Sequence, residues 1–510
     1  MKKIIIYVTL VAGLVCSSCS GWLDLTPNNE RVTSEYWKTK EDVEAVLASG
    51  YNCLRKMVPT LVDWGELRGG SVYSPSNSAK QKLQNFQLTP NDALCKWAGM
   101  YDVLNMANSV IKYAPEAQAV DETYNLQSMN SHLSEAYFIR ALTYFYLVRN
   151  FRDVPLVLEP YVDDSAPYRI AQSTEAQVIA QIKEDLKVAL ESGGAKEFFD
   201  DDDWSGASKG RATKWALYAL MADVCLWSGD YDGCIQYADM VLDATAIQRP
   251  AFMKDGTLWF SIYYPGNSNE SIFELNWDQN AYDIQQEGSP SELFKVASNT
   301  TYQFVWDESG DKMGNRLMAE EEEGSLRAAN TYNVSGGQSF CIWKYQGTIL
   351  NNRTSTRPST GQDANWIVYR MADVMLMKAE ALIWKGQSGY QDALDLMNAV
   401  RERSLLSDLP LDASSAGEQE MLEALLHERD MELAAEGKRW YDLLRFARGK
   451  GGIYKDAFIS LIEANNITAN LSWLHSALIN EDAWFLPINQ SEMDVNPLLN
   501  QNPYYTGVTA

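Results

Sequence analysis

Histidine is scarce in this chain: three residues in 510, His132, His427 and His475, scattered along it. That removes the commonest transition-metal ligand, and neither cysteines nor carboxylates stand at zinc spacing, so no metal and no cofactor is expected. Cysteine is nearly as rare. Two of the seven, Cys16 and Cys19, stand at the end of the N-terminal leader, and Cys53, Cys95, Cys225, Cys234 and Cys341 remain. Their odd count and their spacing match no disulfide framework, so buried thiols are expected instead. Basic residues are outnumbered, 43 against 68 acidic ones, for a formal net charge of −25. Such a surface makes nucleic acid and anionic polymers poor partners. Long apolar runs are also missing, and the longest, Ile4 to Val15, is too short to anchor in a bilayer as a helix.

That run follows Lys2 and Lys3 and precedes small residues, the pattern of a secretory signal over residues 1–18. Ser17, Ser18 and Cys19 resemble the end of a bacterial lipobox, in which the cysteine becomes the lipidated first residue of the mature chain. The position three before Cys19 is Cys16, where Leu is usual. Plain secretion with cleavage nearby is the alternative. Lipidation at Cys19 would supply more than one acyl tail, enough for stable anchoring.

The chain is rich in apolar residues, 46%, with 16 Trp and 27 Tyr. It can bury a large core, and length alone allows two or three domains. The densest stretch is Leu425 to Gly449, LLHERDMELAAEGKRWYDLLRFARG. Leu426, Leu433, Trp440 and Leu444 fall on one buried helical face. Glu428, Glu432 and Glu436 step by four along another, interleaved with Arg429, Arg439 and Arg445. Gly437 predicts a kink or a break between two helices. Two carboxylates of the three could form an acid and base pair. Each has a cation within one turn, however, and catalytic acids need an unpaired, desolvated setting, so the charges are read as ties between helices.

A helix is expected from about Thr39, another over Asn91 to Tyr113 with Trp97 in its core stripe, and a third in SHLSEAYFIRALTYFYLVRNFRDVPLV, whose aromatics surround it. Ser173 is expected to cap the next. Arg211 to Ala244 reads as a helical hairpin turning at Gly229-Asp230, with the small Ala222 and Cys234 where a tetratricopeptide unit needs close approach. Trp366 to Ser404 repeats it with Ala379, Gly386, Tyr390 and Ala393. The fold class is therefore mostly α: tetratricopeptide-like hairpins over about 134–244 and 366–448, interrupted by a loop-rich insertion with short β-strands at about 247–365. Asp63 to Pro90 reads as a second long loop.

Taken together, the lipobox followed by SGWLDLTP, SEAYFIRALTYFYLVRNFRDVPLV, RATKWALYALMADVCLWSGDYDG, NWIVYRMADVMLMKAEAL, ERDMELAAEGKRWYDLLRFAR and the closing NPLLNQNPYY resemble the SusD/RagB family, surface lipoproteins of Bacteroidetes nutrient uptake. The resemblance spans nearly the whole chain. It implies a single helical domain over 19–510 with four tetratricopeptide-like units and anchoring on the outer leaflet of the outer membrane. It also implies a SusC-like TonB-dependent transporter as partner, on which the protein sits as a lid. Members bind glycans, and some bind peptides, without chemistry of their own.

A neutral sugar offers hydroxyls and apolar ring faces, so its binder needs exposed aromatics flanked by polar groups. Aromatics at helical spacing are used by the core, which leaves those in loops. The first loop offers Asp63, Trp64, Arg68 and Tyr73; the insertion offers Trp277, Asp278, Tyr282, Tyr302 and Trp306. Trp64 and Trp306 are the leading pair, with Arg353 and Arg357 as a possible third wall. Each aromatic has the alternative of a core residue under a loop. The run Asp200 to Asp203 superficially resembles a calcium loop but lacks the Glu at the twelfth position. A glycan-binding, non-enzymatic lipoprotein is the leading function; an oligopeptide-binding lid, a glycosidase and a protein-only scaffold are the alternatives.

Overall fold

The computed structural model describes residues 36–162, 168–199, 208–277, 287–295, 302–308, 310–335, 339–350, 353–358 and 363–506. Cys19, Asp278, Tyr282 and the acidic run at 200–203 lie outside them.

Helix α1 (Lys40–Lys56) opens on a reciprocal cap: Thr39 Oγ1 accepts the Asp42 N–H, and the Asp42 carboxylate accepts the Thr39 N–H at 3.0 Å. Next come α2 (Val58–Glu66), strand β1 (Val72–Tyr73) and α3 (Ser78–Gln84). The stretch read as a loop from Asp63 is therefore largely ordered into elements. Its glycines mark close approach rather than looseness: a Cβ on Gly65 would stand 2.2 Å from Gly437 O, and one on Gly69 2.5 Å from Arg439 Cγ.

The long helices follow: α4 (Ala98–Val120), α5 (Leu126–Phe151) and α6 (Glu175–Glu191). Trp97 is buried, as are Phe138, Tyr144, Phe145 and Tyr146 around α5. The cap of α6 is Thr174, one residue after the expected Ser173, because Ser173 is taken by a short strand pairing with Val154. Helices α7 (Lys214–Trp227) and α8 (Tyr231–Leu242) form the first expected hairpin. Gly229 takes φ +75° at its turn, and Ala222 and Cys234 are fully buried where the helices meet.

The insertion holds strands β2 (Ser271–Leu275) and β3 (Gln303–Phe304), helices α9 (Met313–Glu322) and α10 (Leu326–Thr331), and strands β4 (Tyr332–Ser335) and β5 (Ser339–Ile342). Strand β6 (Trp366–Arg370) leaves it, pairing antiparallel with β2. The second hairpin is α11 (Met371–Lys385) with α12 (Tyr390–Arg403), Ala379 and Ala393 buried between them. It stacks on the first through α8 against α11. Helix packing thus runs α1, α4, α5, α6, α7, α8, α11, α12 in unbroken succession, a tetratricopeptide-like scaffold. Helices α13 (Glu418–Glu432) and α14 (Arg439–Arg448) are separated at Gly437, φ +74°, and α15 (Lys455–Asn465) and α16 (Leu471–Leu478) follow. No helix among the described residues is long and apolar enough to cross a membrane. Burial pushes the thiol of Cys95 up to about 11 and that of Cys225 to about 12; Cys234 is fully buried, Cys341 is buried too and Cys53 half-buried.

Leu426, Leu433, Trp440 and Leu444 are all buried. The carboxylates beside them are ties, but to different partners from the interleaved arginines. Arg370 reaches Glu432 at 2.6 Å, Glu436 at 2.9 Å and Glu270 at 2.9 Å; Arg403 joins Glu270 and Glu432; Lys344 meets Glu436 at 2.7 Å; Arg327 joins Glu428 to Glu320. Arg429 turns to Asp373 and Asp442, Arg439 to Asp430, and Arg445 to Glu380 and Asp442. Glu428, Arg429 and Glu432 share α13 but reach different elements, and the break at Gly437 sets Glu436 apart from Arg439 and Arg445 on α14. Burial opposes ionisation of Glu432 and Glu436. Arg403 and Arg370 outweigh it at Glu432, Arg370 and Lys344 at Glu436, and both carboxyls are held below the ordinary range. They are fixed anions, unsuited to proton donation.

Candidate ligand-binding site

A four-stranded sheet in the order β1-β3-β5-β4 joins the first expected loop to the insertion. Tyr73 pairs with Gln303, Val72 with Phe304, and Gln303 with Cys341. Strands of two residues carry no sequence pattern, yet this pairing brings Tyr73 to the β3 strand, next to Tyr302 and two residues short of Trp306's own neighbour Val305.

Beside the sheet, Lys80 Nζ contacts Asp63 Oδ2 at 2.6 Å and donates to Tyr302 Oη at 2.7 Å, and Tyr302 Oη donates to Asp63 Oδ1 at 2.7 Å. Burial raises the Asp63 carboxyl, with Lys80 opposing it, and burial carries the Tyr302 phenol far above its usual value. Tyr73 is half-buried, its hydroxyl 3.2 Å from Gln303 Oε1. Asp63 and Tyr302 bond to each other but are buried, so Tyr302 is not an exposed sugar platform; the half-buried Tyr73 meets Gln303 beside them. Lys80 and Gln303, which complete the cluster, carry no signal in a sequence read without its strand pairing.

Trp306 follows two residues after β3. Its ring stacks on Phe340 at 5.4 Å and 16°, and Phe340 stacks on Tyr332 at 5.5 Å and 11°. Gly314 keeps this stack close: a Cβ there would lie 3.0 Å from both Phe340 and Trp306. The inner rings are buried and Trp306 is half-exposed, so the stack is a rigid base carrying one partly open indole. Exposed Asp307 and Glu308 follow it, and Asn315 Nδ2 donates to Asp307 O at 3.0 Å. Stacking surface and polar rim meet at this residue.

Four expected site residues are placed elsewhere. Trp64 is 0% exposed in α2, its Nε1 donating to Leu94 O at 2.8 Å and its ring edge-on to Phe151; it is a core residue because α2 packs its apolar face inward. Arg68 is equally buried, donating to Trp484 O at 2.8 Å and Asn150 Oδ1 at 2.6 Å over the face of Trp440. Burial lowers its guanidinium to about 10. Trp277 is buried just after β2 beneath the Arg55 guanidinium. Arg357 is buried too, bonding to the carbonyls of Gly347, Tyr263 and Lys344, and forms no exposed wall. The glycines around Trp64 hid the helix in the first case, and in the last the carbonyls that cage Arg357 come from residues 10 to 94 positions away.

Among the described residues no group of His, Cys, Asp and Glu could hold a metal ion. Residues 250–505 match the model of the SusD family, and residues 21–226 match a model described as starch-binding associating with outer membrane. SusD-like protein P38 of Formosa agariphila is 27% identical, covering 87% of this chain and 92% of its own length. A SusD-like protein of Bacteroides ovatus is 26% identical, covering 99% of this chain and 98% of its own. Among solved structures, a SusD superfamily protein from Bacteroides thetaiotaomicron superposes with a TM-score of 0.72 at 20% identity, covering 92% of this chain and 99% of its own. A laminarin-binding SusD-like protein does so with 0.67 at 21% identity, over 92% and 100%. Helical hairpins, the sheet-bearing insertion and a match across both halves of the sequence lead to one assignment: this chain belongs to the SusD family.

Proposed function

We propose that this protein binds an oligo- or polysaccharide at the cell surface and passes it to a SusC-like TonB-dependent transporter in the outer membrane, without catalysing a reaction. It would do so as a single domain, residues 19–510, lipid-anchored through Cys19 after removal of residues 1–18. The observation that carries the binding role is the half-exposed Trp306, supported by Phe340 and Tyr332 and rimmed by polar groups. A pyranose presents an apolar face to such a ring and hydroxyls to Asp307 and Asn315. Relatives described as starch-binding and laminarin-binding favour a glycan. Tyr73, with Asp63, Lys80 and Gln303, is the second part of the proposed site; Tyr282 is proposed as a contact on chemistry alone.

A second reading, an oligopeptide ligand, gains from the burial of Trp64 and Trp277, which leaves fewer stacking faces than a polysaccharide binder can use. Affinity electrophoresis of residues 20–510 through gels holding starch, laminarin, xylan and galactomannan separates the two. Retardation by one glycan, reduced at least fivefold in Trp306→Ala, is the expected result. Unretarded migration in every gel, with binding of an oligopeptide mixture, would overturn the glycan reading.

A further inference from the structure

Among the described residues one tryptophan is exposed outright. Trp473, on α16, is 45% exposed, while every other described tryptophan is buried except the half-buried Trp306. Its position is set at two points. Asn470 caps α16 by accepting the Trp473 N–H at 3.1 Å, and the indole Nε1 donates to Asn85 O at 3.2 Å, just beyond the end of α3. The ring is thereby held with its apolar surface in solvent. A tryptophan left to cover the core would turn inward, as Trp484 does a few residues later with 1% exposure.

Its surroundings are neutral and polar. Asn85 Oδ1 accepts from Thr468 Oγ1 at 2.8 Å and from Asn466 Nδ2 at 3.3 Å, and Gln84 Nε2 donates to Thr468 Oγ1 at 2.7 Å. With its oxygen so occupied, the Asn85 amide presents Nδ2, which has no acceptor among the described residues. A fixed indole face beside an unspent amide donor and hydroxyls is the chemistry of saccharide recognition, an apolar ring face and hydroxyl oxygens met together.

The patch is continuous with the site already described. Gln84 Oε1 accepts the Ser74 N–H at 3.2 Å, next to Tyr73, and Lys80 of the Asp63–Tyr302 cluster lies five residues before Asn85, about 7.5 Å along a helical axis. On the other side Lys312, six residues after Trp306, bonds to Ala464 O at the end of α15.

We infer that Trp473, with Asn85 and Thr468, is a second saccharide-stacking subsite, taking a neutral pyranose ring of a chain whose other part is held at Trp306. This rests on the glycan reading above and extends it: the ligand is an extended chain of several rings, and two separated aromatic platforms select for length.

The test uses residues 20–510 labelled with 5-fluorotryptophan, the two signals being assigned with Trp306→Phe and Trp473→Phe. Fluorine spectra are recorded with starch, laminarin, xylan and galactomannan, and with the di- and trisaccharide of each. The expected result is one polymer that moves both signals. Trp473→Ala then weakens that polymer about three- to tenfold and leaves its disaccharide affinity and the melting temperature unchanged, while Trp473→Tyr restores polymer binding. A polymer that moves Trp306 but neither the Trp473 signal nor the affinity of Trp473→Ala overturns the second subsite alone. Movement of Trp473 without Trp306 keeps saccharide binding at Trp473 but overturns the extended chain held on two platforms. Stillness of both signals with every glycan overturns this inference together with the glycan reading.

Discussion

Replacing Arg370 with methionine tests whether the buried charges hold α13, the break at Gly437 and the insertion together. Arg370 is fully buried, and its guanidinium serves Glu270, Glu432 and Glu436 at 2.6 to 2.9 Å and the Glu432 carbonyl at 2.7 Å. Methionine fills much of its volume and leaves Glu436 with Lys344 and Glu432 with Arg403. Stranding part of a buried charge set costs about 3–5 kcal/mol. At roughly 2.1 cal/mol/K of unfolding entropy per residue, a chain of this length loses about 3–5 °C in Tm. The pH dependence has a definite sign. Glu432 and Glu436 titrate below their unfolded value of 4.5, so their stabilisation is complete above that pH and is lost as pH falls further. The variant has less of it to lose, so its deficit against the wild type narrows between pH 7 and pH 4. Scanning calorimetry at both values reads the difference. A deficit under about 1 °C at pH 7, or one that widens at pH 4, refutes the argument that these charges tie the helices.

Trp64→Ala empties a fully buried indole site and should destabilise by about 3–5 kcal/mol, visible in urea titrations; selective loss of ligand with unchanged stability would return Trp64 to the binding surface. Gly65→Ala places a Cβ against Gly437 O and should cost about 2–3 kcal/mol by the same titration, more than Ala at an ordinary helix position. Glu66, buried and near Asp430, has its carboxyl pushed up to about 8, so stability declines as pH rises from about 4.5 toward 8. Glu66→Gln keeps an acceptor for the Gly437 N–H and should remove that decline, gaining Tm over the wild type at pH 8.5 but not at pH 5; equal differences at the two values would count against it.

What local pattern can encode was legible in the chain. The helix start near Thr39, the turns at Gly229 and Gly386, the small pairs Ala222 with Cys234 and Ala379 with Ala393, and the break at Gly437 each depend on residues within a turn or two of one another, and each stands in the fold. The reading of Glu428, Glu432 and Glu436 as structural followed from the same local density of charge. Tertiary structure alone decided which cations they meet, because Arg327, Arg370 and Arg403 come from other elements 29 to 105 residues away. It decided the site as well. Trp64, Arg68, Trp277 and Arg357 look in sequence like the aromatics and cations of loops, and only packing shows them enclosed; Trp473, on a helix, stands in solvent. A residue's exposure depends on what the rest of the chain lays against it, and two-residue strands such as Val72–Tyr73 and Gln303–Phe304 carry no periodicity to announce their pairing. Propensity is set by neighbours in sequence, burial by neighbours in space.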